Sequence, residues 1–298
     1  MKMFAASAWK ALAVAVLCAA IVLPANAAPK KILVVTVTKG FRHSSIETAE
    51  KVLAELGEKS GVYTVEYARV SPNAPEFKGA DGKPDKEKLG AAIKNVLAEK
   101  MSAAALKNYD GIIFANTTGD LPLPDKQAFL DWIKSGKAFI GMHSATDTFD
   151  GHTPLDAYTE MIGAEFKRHD SVQPEVDCIN QDPKHPACNP LPASWHLKDE
   201  IYYMNGFERS KVHGLLMIDK NPKDKEPGDY PVAWCKMYGK GRVFYTSLGH
   251  REDVWDPNTP ASFKRENPKE VAELYQKQIL GGIKWALGLE EGSANPTQ

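Results

Sequence analysis

An excess of charge of either sign is missing from this chain: 37 lysines and arginines stand against 38 aspartates and glutamates in 298 residues, a formal net charge of −1. Without a basic excess there is no electrostatic footprint for nucleic acid or for an anionic membrane surface, and neither is expected as a partner. Long apolar runs are scarce as well. The one candidate, Ala11 to Leu23, is short for a membrane span, which needs about 20 residues, and no later segment supplies one. Internal repeats, heptads and a linker between two cores are absent, so a single domain is expected. No His-Glu-x-x-His signature occurs, and Gly239-Lys240-Gly241 lacks the length of a phosphate-binding loop, which leaves it as a hairpin turn.

What precedes the domain is informative. Lys2 and Lys10 lead into the apolar run, and Ala25-Asn26-Ala27 follows with the small-x-small pattern of a cleavage site. Residues 1–27 therefore read as a secretory signal peptide, placing the mature protein in the periplasm or outside the cell. Its removal takes Cys18 and leaves Cys178, Cys188 and Cys235. The first two flank a Pro- and Asp-rich loop and are expected to pair in an oxidising compartment, closing a short loop for roughly 2–3 kcal/mol. Cys235, in an apolar run, is expected to be a buried small hydrophobe.

The body of the chain alternates strands and helices. Ile32 to Thr38, Val62 to Val70, Asp110 to Asn116 and Ala138 to Met142 are strand candidates, with helices predicted from Ile46 to Gly57, up to Leu106 and through Ile133. Ser44 or Ser45 is placed to cap the first helix. Regularity fails from Asp150 to Tyr203, apart from a helix near Leu155 to Ile162 and a strand near Val172 to Ile179. It returns with strands at Leu215 to Ile218, Val232 to Cys235 and Arg242 to Ser247, then a helix from Val271 to Leu287. This is an α/β pattern with a mostly parallel central sheet.

Chemistry collects at the strand ends. Three of the eight histidines follow strands: His43, His143 and His250. In an open parallel sheet such ends share one rim, where imidazoles can bind a divalent metal such as zinc or divide acid and base roles. His169, before another strand, is a fourth candidate ligand, and Asp147, Asp170, Glu252 and Asp253 are carboxylates within a few residues of these histidines. Trp195, Trp234, Trp255 and Tyr202-Tyr203 can pack a core or stack on a sugar, with Trp255 expected to be the exposed one.

Gly40-Phe41-Arg42-His43, Tyr109-Asp110-Gly111-Ile112-Ile113, Gly141 to Asp147, Phe166 to Asp170, and Gly239 to Tyr245 leading to Gly249-His250 together resemble the ThuA-like (trehalose utilisation) family. The resemblance implies a flavodoxin-like three-layer sandwich of the class I glutamine amidotransferase type over residues 30–290, with 291–298 as a flexible tail. His143 stands where an amidotransferase has its cysteine. His250-Arg251-Glu252 keeps a His-x-Glu spacing, but an imidazole cannot form the thioester, so glutaminase activity is excluded.

The resemblance further implies carbohydrate metabolism, on disaccharides or glucosides whose ring has been oxidised at C3 by a partner dehydrogenase. A 3-keto group acidifies the C2 proton, so a base can remove it while a metal or imidazolium stabilises the enolate and the glycosidic oxygen leaves. On this reading His143, His43 and His250 are catalytic or ligating and Asp147 orients them. Arg42, Ser144, Trp255 and Asp170 contact the sugar, and His43, His143, His169 and His250 form the metal set. The competing expectation is a non-catalytic sugar-binding module; hydrolysis through Ser144 is disfavoured because the surrounding residues do not form a serine elbow.

Overall fold

Strands apolar at successive positions need cover on both faces. In the computed structural model, which describes residues 28–79 and 81–297, they receive it. The strands are β1 (Lys30–Val35), β2 (Tyr63–Ala68), β3 (Gly111–Ala115), β4 (Ala138–Met142), β5 (Glu165–His169), β6 (Glu175–Asn180), β7 (Ser194–Lys198), β8 (Tyr202–Asn205), β9 (His213–Lys220), β10 (Pro227–Tyr238) and β11 (Gly241–Thr246). Nine of them join in the order β2-β1-β3-β4-β11-β10-β9-β6-β7, and β5 pairs with β8 in a separate ribbon. From β2 to β11 all neighbours are parallel. Beyond β11 they alternate, so that only β10 and β6 run against the rest and the sheet is mostly parallel.

Helices α1 (Ile46–Ser60), α2 (Lys86–Met101), α3 (Ala103–Leu106), α4 (Lys126–Lys134), α5 (Ala157–Ile162), α6 (Glu252–Trp255) and α7 (Lys269–Ala286) complete the layers. The period-two geometry of a strand divides the core. Ile32 and Val34 pack with Val52 and Leu53 of α1 and Ile279 of α7. Leu33 and Val35 join Ile93 and Leu97 of α2 and Phe129 and Ile133 of α4 on the other face. This is the three-layer α/β sandwich expected. The region from 150 to 203 holds strands β5, β7 and β8 that the sequence did not announce, because they are short and bury few residues: β5 buries Glu165 alone, β8 Tyr202 alone, and β7 alternates exposed and buried residues. Among the described residues no helix is long and apolar enough to cross a membrane. Residues 1–27, expected to be a signal peptide, lie outside the described residues.

Three expectations need correction. Cys178 and Cys188 do not form a bridge: both are free and fully buried. The Cys188 Sγ is directed at the Leu215 carbonyl of β9 at 3.5 Å, and burial pushes its thiol up to about 12. The last residues are not a free tail either. Thr297 donates its N–H to the Val212 carbonyl, and the Gly292 and Asn295 carbonyls accept from Trp285 Nε1 and His213 Nδ1 at 3.1 and 2.7 Å. Those donors would otherwise be left unpaired against the core. Finally, Ser45 sits at the head of α1 but makes no side-chain cap; its hydroxyl donates instead to the Gly249 carbonyl, 3.0 Å away.

Cys178, Cys188 and Cys235 should all be inert to a thiol reagent in the native protein and all react once it is unfolded without reductant. Recovery of only one of these three thiols on unfolding would establish a bridge.

Candidate functional site

Because β1, β3, β4 and β11 are adjacent and parallel, the residues beyond their C-terminal ends meet at one rim. His43 lies in the loop after β1, Asn116 directly after β3, His143 directly after β4 and His250 after β11. His143 is forced into the left-handed region, φ 49°, at a cost of about 1–2 kcal/mol for a residue with a side chain. Two bonds hold it there. The Tyr245 hydroxyl donates to its carbonyl at 2.7 Å, and its Nδ1 is 2.8 Å from the Ser247 carbonyl. Gly141 is required just before the turn because a Cβ would lie 2.9 Å from Ile162 and 3.0 Å from Tyr245.

A carbonyl can only accept, so Nδ1 of His143 carries the proton and its Nε2 presents a lone pair. Four polar groups surround that lone pair. His43 Nε2 and the Tyr202 hydroxyl are each 3.2 Å away, His250 Nδ1 3.3 Å and Glu200 Oε2 3.6 Å. His250 Nδ1 and Glu200 Oε2 are 3.1 Å apart. The rings of His43, His143 and His250 stand nearly perpendicular to one another, at 79–87°. Burial, with the neighbouring imidazoles adding to it, drives His43 down to about 2, so it is neutral. Burial opposes ionisation of Glu200 too, but the facing imidazoles, His250 in hydrogen-bond contact with it, outweigh that and hold the carboxyl well below its ordinary range. The same carboxylate overcomes burial at His250 and raises it.

These four side chains could hold a metal ion. Their ligand atoms lie within 4.8 Å of one another. A tetrahedral zinc site with bonds of about 2.0–2.1 Å has ligand-to-ligand edges of about 3.3 Å, which is the spacing of the His143, His250 and Glu200 contacts. Two imidazole nitrogens facing each other at 3.2 Å also need a proton or a cation between them.

The His250 loop is held by its backbone. The Gly249 carbonyl accepts from Ser45 Oγ, Asn116 Nδ2 and Trp255 Nε1 at 3.0, 3.1 and 2.7 Å. Buried Asp199 accepts from the Gly249 and Arg251 N–H groups at 2.7 and 3.2 Å. At Gly249 itself, φ is 115° and a Cβ would meet the Tyr275 hydroxyl at 2.8 Å, so only glycine fits.

The residues singled out in the sequence divide as follows. His43, His143 and His250 come together; His169 does not join their ligand group, and Glu200 takes the fourth place. His169 lies one step out, its Nδ1 2.8 Å from the Asp170 carbonyl and 3.2 Å from Glu200 Oε1. Ser144 Oγ is 3.3 Å from His43 Nδ1. Arg42 donates to the Thr36 carbonyl at 3.2 Å. Asp170 accepts from Tyr203 and Arg168 rather than from any histidine of the cluster. Asp147 forms no hydrogen bond with His143; the Ser247 carbonyl orients that ring instead. Trp255 is fully buried, not exposed, because its N–H is spent on Gly249 and its ring packs edge-on against Tyr275. Glu200 went unnoticed, and Tyr202 was read as a core or sugar-stacking residue rather than a partner of His143, because both sit in the aperiodic segment, where the only signal was an acidic pair before two tyrosines.

A cleft of about 1020 Å³, lined by Gly40, Arg42, His43 and Lys86, reaches the cluster at His43. Another, of about 660 Å³, is lined by His169, Asp170, Val172 and Lys198 and touches the cluster's neighbour His169.

A family model described as trehalose utilisation (ThuA) matches residues 31–262. Solved structures similar in fold include two ThuA-like proteins. A ThuA-like protein from Bacteroides uniformis has a TM-score of 0.60 at 19% identity, covering 92% of this chain and 98% of that one. A ThuA-like protein from Parabacteroides merdae has 0.55 at 19% identity, covering 87% and 90%. Among curated proteins none matches.

Burial, then Asp150 and Glu200, push the Asp147 carboxyl up to about 7. A carboxyl raised in the native state binds a proton on folding. Its full contribution to stability is present below the unfolded value of about 4 and is lost as pH rises through about 7. Asp147→Asn should therefore be more stable than the parent at pH 8, by about 2 kcal/mol after allowing for partial exposure, and the gain should shrink at pH 5. Urea unfolding at both pH values checks this; an equal difference at the two would refute it.

Proposed function

The chain belongs to the ThuA, or trehalose-utilisation, family, and from that premise of a carbohydrate-related role we propose that it cleaves disaccharides or glucosides already oxidised at C3. The observation that carries this reading is the convergence of His43, His143, His250 and Glu200 around one protein-directed lone pair. These four residues would hold a divalent cation of the zinc class, whose chemistry when bound is to polarise the 3-keto oxygen and stabilise the enolate.

The remaining groups move protons. His169 Nδ1 faces two acceptors, the Asp170 carbonyl and Glu200 Oε1, so its Nε2 is left bare on an exposed ring beside the cleft. It is the base that takes the C2 proton. The C2–H electron pair forms the C1=C2 double bond as the C1–O bond breaks. Tyr202, buried and kept protonated because burial lifts its hydroxyl well above the ordinary value, donates to the departing glycosidic oxygen. The unsaturated 3-keto sugar is one product and the released sugar or aglycone the other. The partner implied upstream is a sugar 3-dehydrogenase, and the leader-like pattern of residues 1–27 supports a site of action in the periplasm or outside the cell.

Incubation of the purified protein with 3-keto-trehalose should give turnover that a chelator abolishes, with one divalent ion per chain by elemental analysis. His143→Ala should lose both ion and activity. His169→Ala should keep the ion while kcat falls about 10²- to 10⁴-fold. Sugar binding without turnover in the metal-loaded protein would replace this reading with that of an accessory sugar-binding module.

A further inference from the structure

A sugar-processing site needs an apolar surface for the C–H face of a pyranose, and the structure offers one that the sequence did not single out. Among the described residues Phe41 is the only exposed Phe, Tyr or Trp, at 66%. Its ring stands edge-to-face with that of His43, centroids 4.9 Å apart and planes at 80°. Its neighbours Gly40 and Arg42 line the larger cleft together with His43.

The segment that carries Phe41 is clamped. Its carbonyl accepts from Thr118 Oγ1 at 2.8 Å, and the Gly40 N–H donates to the same oxygen at 3.2 Å. A Cβ at Gly119 would lie 2.9 Å from the Gly40 nitrogen, which shows how closely the loops after β1 and β3 are pressed together. The ring is therefore held out beside His43 on a fixed backbone instead of folding into the core. Val172, equally prominent beside His169 at 72% exposed, is aliphatic and has no π face to offer.

We propose that Phe41 is the stacking platform for a pyranose ring of the substrate, setting that ring against the His43 side of the cluster. The inference rests on the carbohydrate reading above and names the residue that confers it. An aromatic face carries partial negative charge that suits the C–H groups of a hexose, and the cleft has room for a disaccharide. Stacking of this kind changes affinity rather than the chemical step.

Trehalose itself, which lacks the 3-keto group, is the binding probe, and 3-keto-trehalose the kinetic one. Phe41→Ala should weaken trehalose binding by calorimetry about tenfold and place its kinetic loss on KM rather than kcat. Phe41→Trp should retain binding and show an emission shift on titration with trehalose. Light scattering should give one molecular mass for the parent and both variants. Unchanged affinity in Phe41→Ala, an indole blind to sugar that the parent binds, or a loss of subunits in Phe41→Ala would overturn the platform while leaving the catalytic proposal standing. Parent protein that binds neither sugar would remove both.

Discussion

The hydrogen bond from His143 Nδ1 to the Ser247 carbonyl at 2.8 Å is the constraint from which the site's chemistry follows. It fixes the tautomer of a completely buried imidazole and so decides that a lone pair, not a proton, faces His43, His250, Glu200 and Tyr202. A peptide carbonyl imposes this without adding charge to the interior. The bond is available because β4 and β11 are parallel neighbours, with Thr246 paired to Met142, so that the next residue of each strand arrives at the rim together. The sheet register is thus a statement about proton location.

Around that bond the protein uses backbone atoms where a looser design would use side chains. The Gly249 carbonyl gathers three donors from α1, the end of β3 and α6, and Asp199 clamps the N–H groups on either side of His250. These bonds join segments far apart in the chain. Loss of one donor leaves the others in place, which is a sound arrangement for a loop that must keep an imidazole within a few tenths of an ångström of three partners.

Much of the fold was legible in the sequence because a strand buried on both faces writes itself as a continuous apolar run, as at Ile32–Val35 and Phe139–Met142. The same runs end abruptly, which is why His43, His143 and His250 could be assigned to one rim. Glu200 was not legible: its position depends on β7 and β8 folding back over that rim, a long-range event with no local period. Trp255 was misjudged for a related reason. An indole beside charged residues reads as surface, and only the tertiary position of the Gly249 carbonyl explains why its N–H is satisfied inside. Cys178 and Cys188 illustrate the opposite error, since closeness in sequence says nothing about whether two thiols point at each other.

The β5–β8 ribbon shares no strand pairing with the main sheet, yet it brings His169 and Tyr202 to the cluster, with Glu200 just ahead of it. The three rim histidines belong to the scaffold; the ribbon does not. A change confined to the ribbon therefore reaches the proposed base and acid while the three imidazoles beneath keep the places the sheet gives them.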